Sequence, residues 1–188
     1  MTDMPLHFVG IAGSLRAASW SAALLSEIIA LSDARARVTA FALHSVPLYN
    51  ADLEPHHGHA PEPVLEFRQA IAAADGVVIV SPEYNYGMSG VLKNALDWAS
   101  RPAYKSVLAG KPVLLMTNSP GSTGGVRAQQ QLRQTLVATL SRVVVGPEIA
   151  VAHIATKLAD GKLTDERTVA LIKEGLAALV TEVVRARS

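Results

Sequence analysis

The 188-residue chain has no cysteine, so it can form neither a disulfide nor a thiolate metal site and it has no cysteine nucleophile. It also lacks an excess of charge of either sign. The 17 Lys and Arg residues stand against 16 Asp and Glu residues, which leaves a formal net charge of +1. A balance this even produces no strong field that would gather nucleic acid, and we therefore expect no nucleic-acid partner.

Long apolar runs are missing as well. No uninterrupted apolar stretch approaches the ~18 residues of a membrane span, so we expect no membrane partner. The first apolar run follows Asp3 with no Lys or Arg ahead of it, unlike a secretory signal, and we expect a soluble, cytoplasmic protein. With 49% hydrophobic residues, no internal repeat and no linker, residues 1–188 are predicted to form a single domain.

Short apolar runs alternate with helical patterns along the chain. The runs predict strands at residues 8–12, 38–43, 77–80, 113–116 and 143–145, and the helical patterns cover residues 20–31, 64–74, 88–100, 126–140 and 165–187. All runs but 38–43 are continuously apolar, which is typical of parallel strands covered on both faces. We predict an α/β fold, a flavodoxin-like three-layer sandwich with a five-stranded parallel sheet in the order 2-1-3-4-5. Its ligand crevice would lie past the carboxyl ends of the first, third and fourth strands.

The first strand is followed by a loop rich in hydrogen-bond donors, Gly-Ser-Leu-Arg-Ala-Ala-Ser at residues 13–19. The hydroxyls of Ser14 and Ser19, the guanidinium of Arg16 and the free amides of the next helix could converge on a phosphate. The loop is neither G-x-G-x-x-G nor a Walker A sequence, which favours a monophosphate over a diphosphate. The alternative interpretation is an ordinary tight turn in which Ser19 caps the helix, although it leaves Arg16 unexplained.

The loops after the third and fourth strands are also unusual. Residues 81–90 contain a proline, an asparagine and two glycines, and they hold two of the nine aromatic residues of the chain, Tyr84 and Tyr86. Such a loop can present backbone amides and ring faces to a planar ligand, or the rings can simply pack against the following helix. Residues 117–125 combine three glycines with several hydroxyls, a composition that allows close approach to a ligand but also suits a solvated turn.

Two motifs, residues 13–19 and Pro-Glu-Tyr-Asn-Tyr-Gly at residues 82–87, are followed by Gly-Val-Leu-Lys-Asn-Ala-Leu-Asp-Trp at residues 90–98. In this order and spacing they closely resemble the NADPH-dependent FMN reductase family, which includes bacterial quinone, chromate and azo-dye reductases. The resemblance covers about residues 9–136. It implies FMN as cofactor, NADPH or NADH as electron donor, and a small-molecule acceptor such as a quinone, a second flavin, an azo compound or an oxidised metal ion.

The resemblance also implies a set of cofactor-binding residues, and because the hydride chemistry belongs to the flavin, it requires no catalytic side chain. The set has one group for the FMN phosphate, one along the isoalloxazine ring and one on the far side of the ring. The first comprises Ser14, Arg16, Ser19, Trp20 and Ser21, the second Pro82, Glu83, Tyr84 and Asn85, and the third Ser119 and Gly121.

Two departures from the family pattern concern the phosphate group and the assembly. Ser21 stands where many relatives have asparagine. In the chromate and quinone reductase branch an arginine, a tyrosine and a glutamate pair across subunits; Arg127 and Glu148 match, but Gln130 replaces the tyrosine. The resemblance implies a homodimer or a homotetramer.

Two other functions are compatible with parts of the pattern. A flavodoxin-like electron carrier would bind FMN without oxidising pyridine nucleotide, but such carriers dock through strongly acidic surfaces and this chain is nearly neutral. A serine hydrolase is disfavoured because the chain has no Gly-x-Ser-x-Gly elbow. We therefore predict an FMN-dependent NAD(P)H oxidoreductase, with the electron carrier as the alternative.

Two groups of polar residues lie outside the motifs. Glu54, His56, His57 and His59 resemble a metal-binding tract, but they lie in a long loop without regular structure, so we interpret them as a solvated loop and expect no metal. The three glutamines at residues 129–131 are interpreted as a polar helix face.

Overall fold

The structure is a computed structural model that describes residues 5–54 and 60–187. Its strands are β1 (Leu6–Ala12), β2 (Ala36–Phe41), β3 (Gly76–Tyr84), β4 (Gly87–Met88), β5 (Pro112–Asn118), β6 (Arg142–Val143), β7 (Ile149–Val151), β8 (Leu158–Ala159) and β9 (Lys162–Leu163). Its helices are α1 (Trp20–Leu31), α2 (Glu62–Ala73), α3 (Gly90–Ala99), α4 (Val126–Ala138), α5 (Ile154–Lys157) and α6 (Glu166–Arg187).

The main sheet has the order β2-β1-β3-β5, and the far side of β5 pairs first with β6 and then with β7. These pairings are all parallel. The predicted flavodoxin-like order is therefore confirmed, with β5 as the fourth strand and the β6 and β7 pair in the fifth position. The short β4, which forms an antiparallel hairpin with β3, and the hairpin of β8 and β9 were not predicted.

The predicted extent of the fifth strand, residues 143–145, is wrong. β6 ends at Val143, and the chain leaves the sheet until β7 begins at Ile149. The intervening segment contains Gly146 and Pro147, and proline cannot donate a hydrogen bond to a sheet ladder. This edge of the sheet is consequently formed by two short strands.

Both faces of the sheet are covered by helices, as the continuous apolar runs predict. In β3, Val77 and Ile79 belong to the cluster covered by α2, α3 and α4, whereas Val78 and Val80 belong to the cluster under α1 and α6. All four side chains are fully buried. Burial of each such side chain contributes about 1.5 to 3 kcal/mol, and the two clusters together hold the three layers in place.

Helix boundaries agree closely with the sequence pattern, but one helix face does not. Asp165 accepts a hydrogen bond from the Thr168 amide at 2.9 Å and so caps α6 where the sequence predicts its start. The polar face predicted for residues 129–131 is wrong at Gln129, which is fully buried and donates its Nε2 to the Ile149 carbonyl at 3.0 Å. Within the described residues no helix is long and apolar enough to cross a membrane.

The connection from β5 to α4 passes directly against β7. Gly124 has a φ of +63°, and a Cβ there would lie 2.6 Å from the carbonyl carbon and oxygen of Ala150. A side chain would therefore collide with backbone that cannot rotate away. Gly124 fixes the path of a loop that borders the crevice.

We expect Gly124→Ala to lower the free energy of unfolding by about 2 kcal/mol or more, since it combines a positive φ with a backbone clash. Gly146→Ala is the matched control because a Cβ there meets no atom within 4 Å, and its effect should stay within about 0.5 kcal/mol. Urea unfolding of the two variants measures the difference. Equal midpoints would contradict the proposed constraint at Gly124.

Candidate active site

A cavity of about 240 Å³ lies past the carboxyl ends of β1, β3 and β5. Its lining consists of Ser14, Arg16, Ser19, Trp20, Ser21, Pro82, Glu83, Tyr84, Asn118, Ser119 and Pro120. The structure thus brings together nine of the eleven residues predicted to bind the cofactor. Asn85 and Gly121 do not line the cavity, and Asn118 and Pro120 line it without having been predicted.

One end of the cavity is formed by the start of α1. The Ser19 hydroxyl accepts a hydrogen bond from the Ala22 amide at 3.2 Å, so Ser19 is the N-cap that the alternative interpretation required. Within the described ranges the amides of Trp20 and Ser21, the first two of the helix, have no hydrogen-bond acceptor. Free amides at a helix N-terminus favour an anion, so the cap and the phosphate interpretations are compatible.

Arg16 places a positive charge at the same end. Its side chain is exposed and its guanidinium lies 5.6 Å from the centroid of the Trp20 ring. No carboxylate within residues 5–54 and 60–187 forms an ion pair with the Arg16 guanidinium. The nearby Ser14 hydroxyl accepts a hydrogen bond from the Arg16 amide at 3.3 Å, which orders the turn. This end of the cavity therefore has donors and a cation but no anion.

Asn118 lines the cavity at the end of β5 and contacts residues of both α1 and β3. Its Nδ2 donates to the Ser21 hydroxyl at 2.8 Å and lies 3.5 Å from the Ser81 carbonyl oxygen. Asn118 and Ser21 are 2% and 1% exposed. Because the Ser21 oxygen already accepts this bond, the hydroxyl hydrogen and the unpaired backbone amide of Ser21 are its donors toward a ligand. The sequence signal for Asn118 is its position as the last residue of a buried strand, directly before the glycine-rich loop.

A tight turn between β3 and β4 forms the neighbouring rim. Asn85 and Tyr86 have φ values of +49° and +66°, the pattern of a two-residue hairpin turn with both central residues left-handed. This turn carries Asn85 away from the cavity, which explains why it does not line it. Tyr84 is 56% exposed beside the cavity, and the Tyr86 ring stacks under the Arg127 guanidinium at 4.3 Å.

The Glu83 side chain is directed to α4. Its Oε2 accepts hydrogen bonds from the amides of Arg127 and Ala128 at 3.0 and 3.2 Å. Its Oε1 lies 3.4 Å from the Arg127 Nη1. Both carboxylate oxygens are therefore engaged, and only the remaining parts of Glu83 are available to a ligand in the cavity.

The loop after β5 is anchored to the start of α5. The Gly121 amide donates to the Ser119 hydroxyl at 3.0 Å, and the Gly121 carbonyl accepts from the His153 amide at 3.1 Å. The Ser119 carbonyl accepts from the Ile154 amide at 3.1 Å. Gly121 is thus occupied with α5, while Ser119 borders the cavity.

The residues of the predicted subunit contact have neighbours within the chain. Glu148 lies 3.6 Å from the Arg133 Nε, Arg127 contacts Glu83 and Tyr86, and the side chain of Gln130 is exposed. Because these contacts lie within one chain, they do not test the predicted subunit contact, and the homodimer or homotetramer stays a prediction.

The interpretation of Glu54 as part of a solvated loop is wrong. Glu54 is 6% exposed and accepts a hydrogen bond from the Tyr49 hydroxyl, which raises the pKa of Tyr49 above its ordinary value. The Arg101 Nε lies 3.5 Å from the same carboxylate. The histidines at positions 56, 57 and 59 lie outside the described residues, and within the described part no group of three or more His, Asp or Glu side chains could hold a metal ion.

Comparisons with known proteins agree with this geometry. Residues 6–156 match the family described as NADPH-dependent FMN reductase. The chain is 40% identical over 183 residues to an NAD(P)H-dependent FMN reductase of Pseudomonas aeruginosa, with 97% of each chain covered. It is also 40% identical over 166 residues to a quinone reductase of Escherichia coli, with 87% of each chain covered.

Among solved structures, the chain is similar to FerB, a flavoenzyme NAD(P)H:(acceptor) oxidoreductase from Paracoccus denitrificans. The TM-score is 0.85 at 31% sequence identity, and the alignment covers 96% of this chain and 98% of that one. The similarity therefore includes the crevice as well as the sheet.

We expect Arg16→Ala to weaken FMN binding by about 1.5 to 3 kcal/mol, the range for a hydrogen bond to a charged group. Arg185→Ala removes a charge that is also exposed, in the last turn of α6, and should leave the affinity unchanged. Fluorescence titration of the apoproteins with FMN measures both. An unaltered dissociation constant in Arg16→Ala would eliminate Arg16 as a phosphate ligand.

Proposed function

Since the chain belongs to the NADPH-dependent FMN reductase family, we propose that it is an NAD(P)H-dependent oxidoreductase that reduces small molecules through bound FMN. Quinones are the acceptors we propose first because a relative with 40% identity is named a quinone reductase. Flavins, azo compounds and oxidised metal ions are further acceptors of the same class. The observation that carries the proposal is the cavity at the strand ends, where the unpaired amides at the start of α1 and the Arg16 guanidinium favour the binding of an anion.

The charges at the two sides of the crevice support one orientation of the cofactor. At α1 the amides of Trp20 and Ser21 and the Arg16 guanidinium favour a dianion. At α4 the helix start already carries the Glu83 carboxylate, which would repel a phosphate. We therefore place the FMN phosphate at α1 and the isoalloxazine ring along the end of β3.

The FMN, when bound, accepts a hydride from the nicotinamide and delivers it to the acceptor. The residues of this chain have to bind and orient the two partners. Pro82 and the backbone beside Tyr84 would lie along the ring, and the exposed Tyr84 side chain borders the open side through which donor and acceptor enter in turn. Glu83 is the one carboxylate in the lining, and its contacts with α4 leave it unsuited to proton transfer.

We also propose that residues 1–188 form one FMN-binding domain that assembles as a homodimer or homotetramer. Large exposed apolar side chains near the end of α4 support a subunit contact there, because Tyr104, Val137 and Leu140 are 75%, 66% and 50% exposed. The cytoplasmic location stays a prediction of the sequence.

The assembly is tested by the native mass of the purified protein. The chain mass is 19.8 kDa, so we expect a species of two or four times this mass. A strictly monomeric species at micromolar concentration would contradict the proposed assembly and leave the proposed activity standing.

The activity is tested by the visible spectrum of the protein reconstituted with FMN. We expect a yellow protein whose flavin absorbance is bleached by NADPH or NADH without oxygen and restored by menadione. An electron carrier would bind FMN but would not be bleached by either nucleotide. A preparation that takes up no FMN would overturn the proposed function.

A further inference from the structure

Helix α4 begins beside the crevice without a cap of its own. Its N-cap residue is Gly125, which has no side chain and a φ of +88°. The first amides of any helix lack acceptors within the helix, so they need a partner from elsewhere. Glycine at this position can supply none.

Glu83, at the end of β3, supplies the missing acceptor. Its Oε2 binds the second and third amides of α4, those of Arg127 and Ala128, at 3.0 and 3.2 Å. The Glu83 side chain is only 11% exposed, and a carboxylate at a helix N-terminus forms charge-assisted hydrogen bonds and opposes the helix dipole. A residue 44 positions earlier in the chain therefore caps α4.

A second contact ties the same two elements together. The Met88 amide in β4 donates to the Gln131 Oε1 of α4 at 2.7 Å. The contact is close enough that a Cβ on Gly87 would lie 2.5 Å from this oxygen. The hairpin of β3 and β4 is thus held to α4 at two points, one turn of the helix apart.

We propose that Glu83 is a positioning residue, which sets the spacing between the β3 wall and the β5 to α4 wall of the crevice by capping α4. The inference rests on the proposed function, because the spacing matters only if FMN lies between these walls. The proposed role does not require the Glu83 carboxylate to contact the flavin ring, because both carboxylate oxygens are already engaged by α4. Pro82 and Tyr84 border the cavity on one side, and Ser119 and Pro120 border it on the other.

The test compares Glu83→Gln and Glu83→Ala with a matched control, Glu182→Gln. Glu182 is also paired with an arginine, Arg142, at 2.7 Å, but this pair involves β6, which pairs with the amino end of β5, opposite the crevice. Amide hydrogen exchange of the apoproteins measures the cap directly, and FMN titration measures its effect on the site.

We expect exchange at Arg127 and Ala128 to be about tenfold faster in Glu83→Ala, the loss typical of a missing cap, with FMN binding weakened by a similar factor. Glu83→Gln keeps one acceptor oxygen and should fall between Glu83→Ala and the unaltered protein. Exchange in β1 and β3 should not change in either variant, and Glu182→Gln should match the unaltered protein in both measurements.

Three outcomes would overturn the proposal. Weaker FMN binding with unchanged exchange at α4 would indicate direct contact with the cofactor. Faster exchange throughout β1 and β3 would indicate a general loss of stability. If Glu83→Ala does not fold, the same measurements are made on Glu83→Gln. Unchanged FMN binding with faster exchange would show that the cap does not position the site. If the unaltered protein binds no FMN, the proposed function fails, while the exchange data still decide whether Glu83 caps α4.

Discussion

The crevice depends on one constraint of the fold, the reversal of winding between β1 and β3. The chain adds β2 on one side of β1 and then crosses to place β3 and β5 on the other. The connections after β1 and β3 therefore leave in opposite directions, and a gap opens between them. The buried amide of Asn118 at the end of β5 binds Ser21 of α1 and approaches Ser81 of β3, so it connects three of the elements that meet at this gap.

Polar side chains connect the loops around this surface to the neighbouring helices. The Ser89 hydroxyl donates to the Gly13 carbonyl at 2.6 Å and accepts from the Leu92 amide at 3.3 Å, so the loop at residues 13–19 is attached to the start of α3. Buried polar groups cost free energy unless they are paired, which makes each such contact specific. The Trp20 amide and the Arg16 guanidinium stay unpaired beside these paired groups, and they support the proposed anion site.

Much of the fold was predictable because continuous apolar runs identify strands that are covered on both faces. The order of the sheet and the bounds of α1 follow from that pattern and the alternation with helices. The fifth strand could not be bounded correctly, because apolar character continues to Val145 whereas the paired strand ends at Val143, ahead of Gly146 and Pro147. Gln129 and Glu54 were placed in solvent because both side chains are polar and the sequence does not show their partners in the fold, the Ile149 carbonyl for Gln129 and Tyr49 and Arg101 for Glu54.

The motif Pro-Glu-Tyr-Asn shows why adjacent residues of a binding motif need not act together. Successive side chains of a strand point to opposite faces, and the motif begins on β3. Pro82 and Tyr84 border the cavity, whereas the Glu83 carboxylate between them is directed to α4 and Asn85 opens the turn. Sequence similarity identifies the four positions as a unit, but the period of two along the strand separates the carboxylate of Glu83, which is bound by α4, from the side chains of Pro82 and Tyr84.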